Sequence, residues 1–318
     1  MKPILLVIFG VFCAVAAFLI SADRLISLGI MDASLQSENE LTAATARLEI
    51  LGIRGFLWVP AAFTMFIGLF WGPIVTSRPI AALQSYDLNF PGTYEAAIKK
   101  VFDLSFIVLG VMLVLASGYM MLGNDLFSID TLVWLNVEDG VLEYASAAIL
   151  LIASCVALAV ASRLDGHKRH RVFHLFLAVL FFLMCGEEIS WGQRIFGFGT
   201  PDALKDLNAQ EELNLHNMFG YLFDHLFIAL FFIWGCVLPM LFAMFKSIRQ
   251  IVRAIGLPVP SWGLAVMMLF VTLFQDQIVV PLFGSVTALR PAELRELLSA
   301  GAFLMLMIQS WRHMVQRM

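Results

Sequence analysis

Charged side chains are scarce in this sequence. Asp, Glu, Lys and Arg together make up 14% of its 318 residues, whereas ordinary soluble domains contain about 25%. Hydrophobic residues make up 60%, and the mean hydropathy is +0.87. The net charge of −4 is small, so nothing in the composition favours nucleic acid as a partner. These values exclude an ordinary soluble domain and predict an all-α polytopic membrane protein.

The sequence also lacks the motifs of several common sites. Its four cysteines, Cys13, Cys155, Cys185 and Cys236, lie in or beside apolar runs and form no Cys-x-x-Cys pair, which favours buried apolar side chains over a disulfide framework. There is no His-Glu-x-x-His and no Gly-x-Ser-x-Gly. A standard zinc-protease helix and a serine nucleophile elbow are therefore excluded.

Long hydrophobic runs are plentiful. Eight of them predict membrane-spanning helices, at about 4–20, 55–75, 106–122, 141–161, 172–186, 220–245, 262–283 and 297–311. The polar segment 23–53 contains Leu41, Ala44, Leu48 and Leu51 at helical spacing, which predicts an amphipathic helix on the outer membrane surface. We therefore expect a three-span region at 1–125 and a five-span region at 126–318.

Basic residues predict the orientation of these spans. With the N-terminus in the cytoplasm, 13 of the 20 Lys and Arg residues fall on the cytoplasmic side, as the positive-inside rule requires. Both chain ends are then cytoplasmic, and the setting expected is the inner (cytoplasmic) membrane of a bacterium.

A set of polar groups in the second region converges on the outer ends of five consecutive spans. They are Glu138, Asp139, Glu143, Glu187, Glu188, His216, Asp224, His225, Asp276, Arg290, Glu293 and Glu296. An ionisable residue at mid-helix costs about 2.5–3.5 kcal/mol on the insertion scale, so such groups indicate a function by default. The structural alternative is that Glu187 pairs with Arg194, or Glu143 with Arg290, only to hold helices together.

Two kinds of enzyme site fit these residues. In the first, His216, His225, Glu188 and Asp276 bind a divalent metal such as zinc, which activates water. In the second, the carboxyl groups act without a metal as general acid and base. In both, Glu187, Glu188, Arg194 and Glu143 are the candidate catalytic residues.

The leading hypothesis is an enzyme that hydrolyses or modifies a lipid, a lipid-linked molecule or a membrane-anchored substrate at the outer membrane interface. One alternative is an ion- or proton-coupled transporter, since intramembrane carboxylates and histidines also relay protons. Another is a non-catalytic membrane scaffold that docks a partner on its outer loops. Membrane lipids are expected partners in every case.

Two stretches carry a resemblance. At 186–194, GEEISWGQR, and 208–217, NAQEELNLHN, the sequence resembles a group of uncharacterised bacterial multi-pass membrane proteins, which implies the membrane fold but no activity. A fainter similarity is to the CAAX-protease/bacteriocin-processing family of intramembrane proteases. That similarity implies roles for Glu187 and Glu188, His216 or Asn217, and His225, while Arg194 lies two residues beyond that family's arginine position.

Overall fold

The computed structural model describes eight ranges of the chain, and every regular element in them is helical. The ranges are 4–27, 40–70, 72–73, 76, 99–136, 140–164, 167–197 and 221–312. The chain forms two compact units, each held together by its own internal contacts. Unit 1 comprises 1–86 and 219–229, and unit 2 comprises 87–218 and 230–318. The boundary after residue 125, expected from the sequence, stays a prediction.

Helices lie in each of the eight predicted apolar runs, while the number of eight membrane spans stays a prediction. In chain order they are α1 (Ile4–Leu19), α2 (Ala22–Ser27), α3 (Glu40–Leu69), α4 (Leu104–Leu126), α5 (Ile129–Asn136), α6 (Val141–Arg163), α7 (Lys168–Glu188), α8 (Gln193–Phe196), α9 (Tyr221–Phe232), α10 (Leu238–Met244), α11 (Lys246–Ile255), α12 (Trp262–Thr272), α13 (Asp276–Phe283) and α14 (Pro291–Ser310). A 3₁₀ turn at Ser190–Gly192 precedes α8, and a π-helical segment at Ile233–Val237 joins α9 to α10.

Four segments are long and apolar enough to cross a membrane: Leu104–Leu126, Ile129–Arg163, Lys168–Glu188 and Asp224–Met244. Of these, Ile129–Arg163 contains α5 and α6 and includes residues 137–139, which lie outside the described ranges. The pair α12 and α13 makes a fifth if the bent pair counts as one span. Helix α1 is apolar but shorter, with 16 residues. The described part of the chain is therefore an all-helical protein with four to five candidate spans.

Helix α3 differs from the sequence-based expectation. The amphipathic segment and the second span were predicted as separate helices, but α3 runs without interruption from Glu40 to Leu69. Its residues change in character from mixed to apolar, while Gly52 and Gly55 are tolerated as isolated helix-interior glycines. In unit 1, α3 packs along α1, where a Cβ on Gly10 would lie 2.9 Å from the carbonyl oxygen of Ala61.

Unit 2 is built around α14. This helix has 15 of its 20 residues buried, which makes it the central helix of the unit. Its Phe303 ring contacts Phe181 of α7 and Phe231 of α9, with ring centroids 5.1 and 5.4 Å apart. Small residues on α6 allow close packing against α7, and the Ser154 hydroxyl donates to the carbonyl oxygen of Ala178 at 2.7 Å. Small residues are the usual solution for close helix contacts in membranes.

A polar network joins three helices of unit 2. Asp103 caps α4, and Ser261 caps α12. The Ser261 hydroxyl donates to the Asp103 carboxylate at 2.5 Å, and the Gln309 amide on α14 donates to Ser261 Oγ at 2.8 Å and to Ser105 Oγ at 2.7 Å. Because these buried groups satisfy one another, the network fixes one end of α4, α12 and α14 in register.

Candidate functional site

Carboxyl groups from three helices meet at the opposite end of unit 2. Helix α6 begins near Glu143, α7 ends at Glu188, and α14 begins with Glu293 and Glu296 in its first two turns. Glu188 interacts electrostatically with the other three. We call these four residues the carboxyl cluster. Since α6, α7 and α14 are each about 30 Å long at 1.5 Å per residue, the cluster lies far from the other end of the unit.

Ser146 links two members of the carboxyl cluster. It is buried on α6, one turn after Glu143. Its hydroxyl oxygen forms a hydrogen bond with Glu188 Oε2 and lies 2.9 Å from the main-chain carbonyl oxygen of Glu143. A serine at this spacing often bonds back to its own helix. Here the same oxygen also holds the end of α7, so the Glu188 carboxyl group has a defined position.

Arg290 lies at the exposed edge of the carboxyl cluster. Its Nε donates to Glu293 Oε1 at 2.8 Å, and its Nη2 lies 4.0 Å from Glu143 Oε1. The Arg290 side chain is 58% exposed, whereas that of Glu293 is only 4% exposed. An exposed ion pair at 4.0 Å contributes little to stability, but the closer bond compensates the buried Glu293 carboxylate.

A pinned loop positions Arg290. The Asn124 side chain donates to the Ser285 carbonyl oxygen at 2.8 Å and accepts from the Thr287 amide at 2.9 Å. Asn136 donates to the Thr287 carbonyl oxygen at 2.9 Å, and it accepts from the Tyr119 hydroxyl at 2.8 Å. These bonds tie the loop before α14 to α4 and α5, so the first turn of α14 enters the site in one orientation.

A helix break faces the same region of α14. Helices α12 and α13 are bent by 84° across residues 273–275. Gln275 closes the break: its Nε2 donates to the Thr272 carbonyl oxygen at 2.8 Å, and its Oε1 accepts from Arg295 Nη1 at 2.8 Å. Arg295 is buried. One side chain thus bonds both a freed carbonyl and one nitrogen of a buried guanidinium group, the kind of substitution that broken helices at membrane depth require.

The turn after α7 has a strained backbone. Ser190, Trp191 and Gly192 are all left-handed, with φ of 44°, 54° and 75°. For non-glycine residues this conformation costs of order 1–3 kcal/mol each, and such residues cluster at active sites and ligand clamps. The strain therefore marks this turn, which begins two residues after Glu188, as a candidate part of the site.

Trp191 explains much of the 186–192 motif. Its indole lies on Gly186, where a Cβ would be 2.9 Å from two ring carbons. Its Nε1 donates to Glu187 Oε1 at 2.9 Å. Gly186 provides the space, Glu187 provides the acceptor, and Gly192 provides the left-handed conformation. The sequence shows Trp191 only as an aromatic residue at an apolar boundary, so its fold-back is not predicted from it.

The structure brings together some of the predicted site residues. Glu143 and Glu188 join the carboxyl cluster, and Glu187 contacts the adjoining turn. Arg194 lies in α8, two residues after Gly192. Asp276 is exposed at the first residue of α13. His225 is exposed on α9 in unit 1.

Other predicted residues, namely Glu138, Asp139 and His216, lie outside the described ranges, as does the 208–217 motif. Within those ranges, no group of three or more His, Cys, Asp and Glu side chains is arranged to hold a metal ion. Because His216 lies outside the described ranges, the metal set His216, His225, Glu188 and Asp276 stays a prediction.

Glu293, Glu296 and Arg290 are among the polar groups that the sequence places at the outer ends, although neither the catalytic nor the metal set contains them. Ser146, Gln275 and Arg295 lie at the site and are absent from all of these sets. Ser146 follows Glu143 by three residues, so it shares a helix face with that glutamate; this spacing is a signal that could have identified it. The Gln275–Arg295 bond joins residues 20 positions apart across a loop, and no local pattern indicates it.

The fold and the site define an all-helical protein with candidate membrane spans and a carboxyl cluster at one end of its central helix. Comparisons with protein-family models, with curated proteins and with solved structures give no match to this chain. The resemblances at 186–194 and 208–217 stay predictions.

Proposed function

We propose that this protein is a membrane-embedded enzyme in which the Glu188 carboxyl group transfers protons during hydrolysis or modification of a lipid, lipid-linked or membrane-anchored substrate. The observation that carries the proposal is the position of Glu188. It ends α7 inside a cluster of three other carboxyl groups, is held by Ser146, and adjoins a strained turn. Coupled carboxyl groups of this kind exchange protons as a set and serve as acid and base in turn.

The Ser146 hydroxyl supports a proton-carrying role for Glu188. A serine hydroxyl has one proton and can donate to one acceptor at a time. Ser146 Oγ contacts two oxygens, the Glu143 carbonyl and Glu188 Oε2. When the hydroxyl donates to the carbonyl, which cannot donate in return, the bond to Glu188 requires a proton on that carboxyl group. When it donates to Glu188 Oε2, the bond needs no proton on that oxygen, and the carboxylate form is accommodated. The same geometry accommodates both protonation states.

The strained turn supports a site with fixed geometry. Catalytic groups act efficiently when they are held close to their reacting position. The Trp191 indole on Gly186 and the Trp191–Glu187 hydrogen bond hold the last turn of α7. Because Glu188 follows Glu187 directly, the turn restricts the backbone that carries the proposed proton-transferring group.

The proposal includes a topology. It places eight spans across the inner membrane of a bacterium, with both chain ends in the cytoplasm and the carboxyl cluster towards the outer leaflet. In this orientation, 13 of the 20 Lys and Arg residues lie on the cytoplasmic side, which the positive-inside rule favours. In unit 2 the end of α6 and the start of α7, around Arg163 and Lys168, are basic. A lipid-derived substrate then reaches the carboxyl cluster from within the outer leaflet.

The break between α12 and α13 favours a second candidate, a proton- or ion-coupled transporter. Transporters commonly place binding sites at discontinuous helices. Here Gln275 connects the break to the buried Arg295 on the helix that carries Glu293 and Glu296. In this alternative, proton exchange in the carboxyl cluster moves the break rather than catalysing a reaction.

The first experiment compares wild type with Glu188→Gln and Asp130→Asn in vesicles made from the total lipid extract of the producing cells. Asp130 is an exposed carboxylate on α5, so its variant matches the charge change outside the cluster. Lipids are followed over time by mass spectrometry. We expect wild type and Asp130→Asn to convert a lipid species, and Glu188→Gln to be slower by roughly 10²–10⁴-fold, the usual share of a general acid or base.

Absence of any conversion by the wild type would contradict an enzyme that acts on a lipid or lipid-linked substrate; the same comparison in native membrane vesicles, followed by mass spectrometry of the membrane-anchored proteins, tests the remaining substrate class. A pH-sensitive dye inside the same vesicles then tests the transporter, which requires proton flux that Glu188→Gln abolishes. With neither conversion nor flux, the non-catalytic scaffold is the remaining hypothesis.

A divalent metal such as zinc is tested separately by elemental analysis of protein purified without chelators. The metal version requires a stoichiometric metal that is lost in His216→Ala and Glu188→Gln. It also requires a folded His216→Ala variant, because metal loss through unfolding has no bearing on the ligand set. A wild type without metal leaves acid–base chemistry by the carboxyl groups alone.

A further inference from the structure

Basic residues gather at the end of unit 2 that lies opposite the carboxyl cluster. Residues 163–171 and 246–253 contain seven of them against one acidic residue, Asp165. They are Arg163, Lys168, Arg169, Arg171, Lys246, Arg249 and Arg253. The start of α7, where Lys168, Arg169 and Arg171 are exposed, and helix α11 both belong to unit 2. We call the start of α7, with Lys168, Arg169 and Arg171, and helix α11 together the basic surface.

Helix α11 is amphipathic and anchored by its apolar side. Val252 and Ala254 are buried. Val252 belongs to a core cluster with Leu164 at the end of α6 and Phe242 of α10, and Trp311 packs against that cluster. Lys246 is exposed, while Arg249 and Arg253 are partly exposed. A helix with one anchored apolar face and one cationic face is typical of the membrane interface.

A close contact fixes α11 beside the start of α7. His170 Nε2 donates to the Arg253 carbonyl oxygen at 2.6 Å. Gly256, left-handed at the end of α11 with φ of 87°, approaches so closely that a Cβ there would lie 2.6 Å from His170 Cα. His170 stands between Arg169 and Arg171 in α7. The contact therefore holds cations of two separate segments next to each other.

Exposed apolar residues continue directly from the basic residues along α7. Val172 is 65% exposed, Phe176 is 56% exposed and Val179 is 57% exposed. In a candidate span such residues face acyl chains. A ligand that matches both parts has an anionic head and an apolar tail, which distinguishes a phospholipid from free phosphate. Basic segments beside spanning helices are known to recognise anionic headgroups, each cation contributing about as much as a factor of five in affinity.

We propose that the basic surface binds the phosphate headgroup of an anionic phospholipid, whose acyl chains lie along the exposed apolar face of α7. The α7 N-terminus adds favourable electrostatics for the phosphate, because the start of a helix carries partial positive charge. This site is independent of the reaction proposed for the carboxyl cluster, from which it is separated by the length of α7.

Native mass spectrometry of the full chain in neutral detergent tests the site. Phosphatidylglycerol and phosphatidylcholine with identical acyl chains are titrated into wild type, into Lys168→Gln/Arg169→Gln, and into Lys99→Gln/Lys100→Gln. The last variant removes two exposed cations that precede α4 and belong to neither segment of the basic surface, so it matches the charge change without altering those segments. Glycerol phosphate, which carries the anion without acyl chains, is the third ligand.

We expect wild type to prefer phosphatidylglycerol over phosphatidylcholine, and Lys168→Gln/Arg169→Gln to bind phosphatidylglycerol roughly 25-fold more weakly. The Lys99→Gln/Lys100→Gln variant should bind as wild type does, and glycerol phosphate should bind far more weakly than the lipid. Equal loss in both double variants would show an unlocalised charge effect and overturn the proposal. So would equal binding of the two lipids, or binding of glycerol phosphate as tight as that of phosphatidylglycerol.

Discussion

Gly186 is the residue on which the strained turn depends. The Trp191 indole occupies the space of its missing side chain. We therefore predict that Gly186→Ala displaces the indole and lowers the free energy of unfolding by about 1–3 kcal/mol, the usual effect of an added methyl group in a filled site. Equilibrium unfolding in mixed detergent micelles measures the change. Proposed activity should fall too, because the displaced turn no longer restricts the end of α7.

Gly118→Ala is the matched control for this substitution. Gly118 lies inside α4, and a Cβ built there meets no atom within 4 Å apart from its own and the adjoining helix backbone. Alanine should therefore stabilise this helix by up to about 1 kcal/mol relative to glycine. If both variants change stability in the same direction and by the same amount, the role assigned to Gly186 is wrong.

Individual residues differ in how far the sequence predicts them. Glu143 and Glu188 are predictable members of the site, because charged residues at the ends of apolar runs are costly and therefore informative. Ser190 and Trp191 are not, since neither residue type favours a left-handed backbone. Their conformation accompanies the packing of the Trp191 indole on Gly186. Hydropathy does not indicate a contact between these two residues.

At the scale of helices, the break between α12 and α13 depends on Gln275. Replacing Gln275 with leucine removes the acceptor of a bond from the buried Arg295 and the donor to the Thr272 carbonyl oxygen. We predict a loss of about 1–3 kcal/mol in the free energy of unfolding, the cost of leaving buried polar groups without that partner. Thermal or detergent unfolding of the purified variant measures it.

Gln277→Leu provides the comparison, since Gln277 is exposed two residues further along, in α13. It should change stability by less than about 0.5 kcal/mol, as surface substitutions usually do. Similar losses in the two variants would mean that any apolar residue here is harmful and that the bond to Arg295 is not the cause.

The helices themselves were largely predictable, and their breaks were not. Hydropathy locates α4, α6 and α7 because each combines an apolar run with charged or polar ends. The same signal predicts two helices at 37–75, whereas α3 is one continuous helix. The sequence changes from mixed to apolar between Gly52 and Gly55, which resembles a helix boundary although the helix continues. It also predicts one span at 262–283, where no glycine or proline occurs at residues 273–275 to indicate the bend.

For the whole molecule, the proposed topology predicts that the C-terminus lies in the cytoplasm. A green fluorescent protein fused after residue 318 should fluoresce, and alkaline phosphatase at the same position should be inactive. Fusions after residue 138 should give the reverse result, and fusions after residue 166 should match the C-terminus. An active phosphatase at residue 318 would contradict the even number of spans, whereas reversed results at all three positions would contradict the orientation.

The charges on α6 and α7 have opposite relations to their own helix dipoles. Glu143 near the start of α6 and Arg163 at its end are both favourable, whereas α7 begins with Lys168 and Arg169 and ends with Glu188, which is unfavourable at each end. Each such charge is worth about 0.3–1 kcal/mol. Helix α7 is therefore disfavoured as an isolated helix. Antiparallel pairing with α6 places the basic start of α7 beside the negative dipole end of α6, and the acidic end of α7 beside the positive dipole end of α6. We expect the two helices to enter the bilayer together during synthesis as one helical hairpin, after α7 has been synthesised.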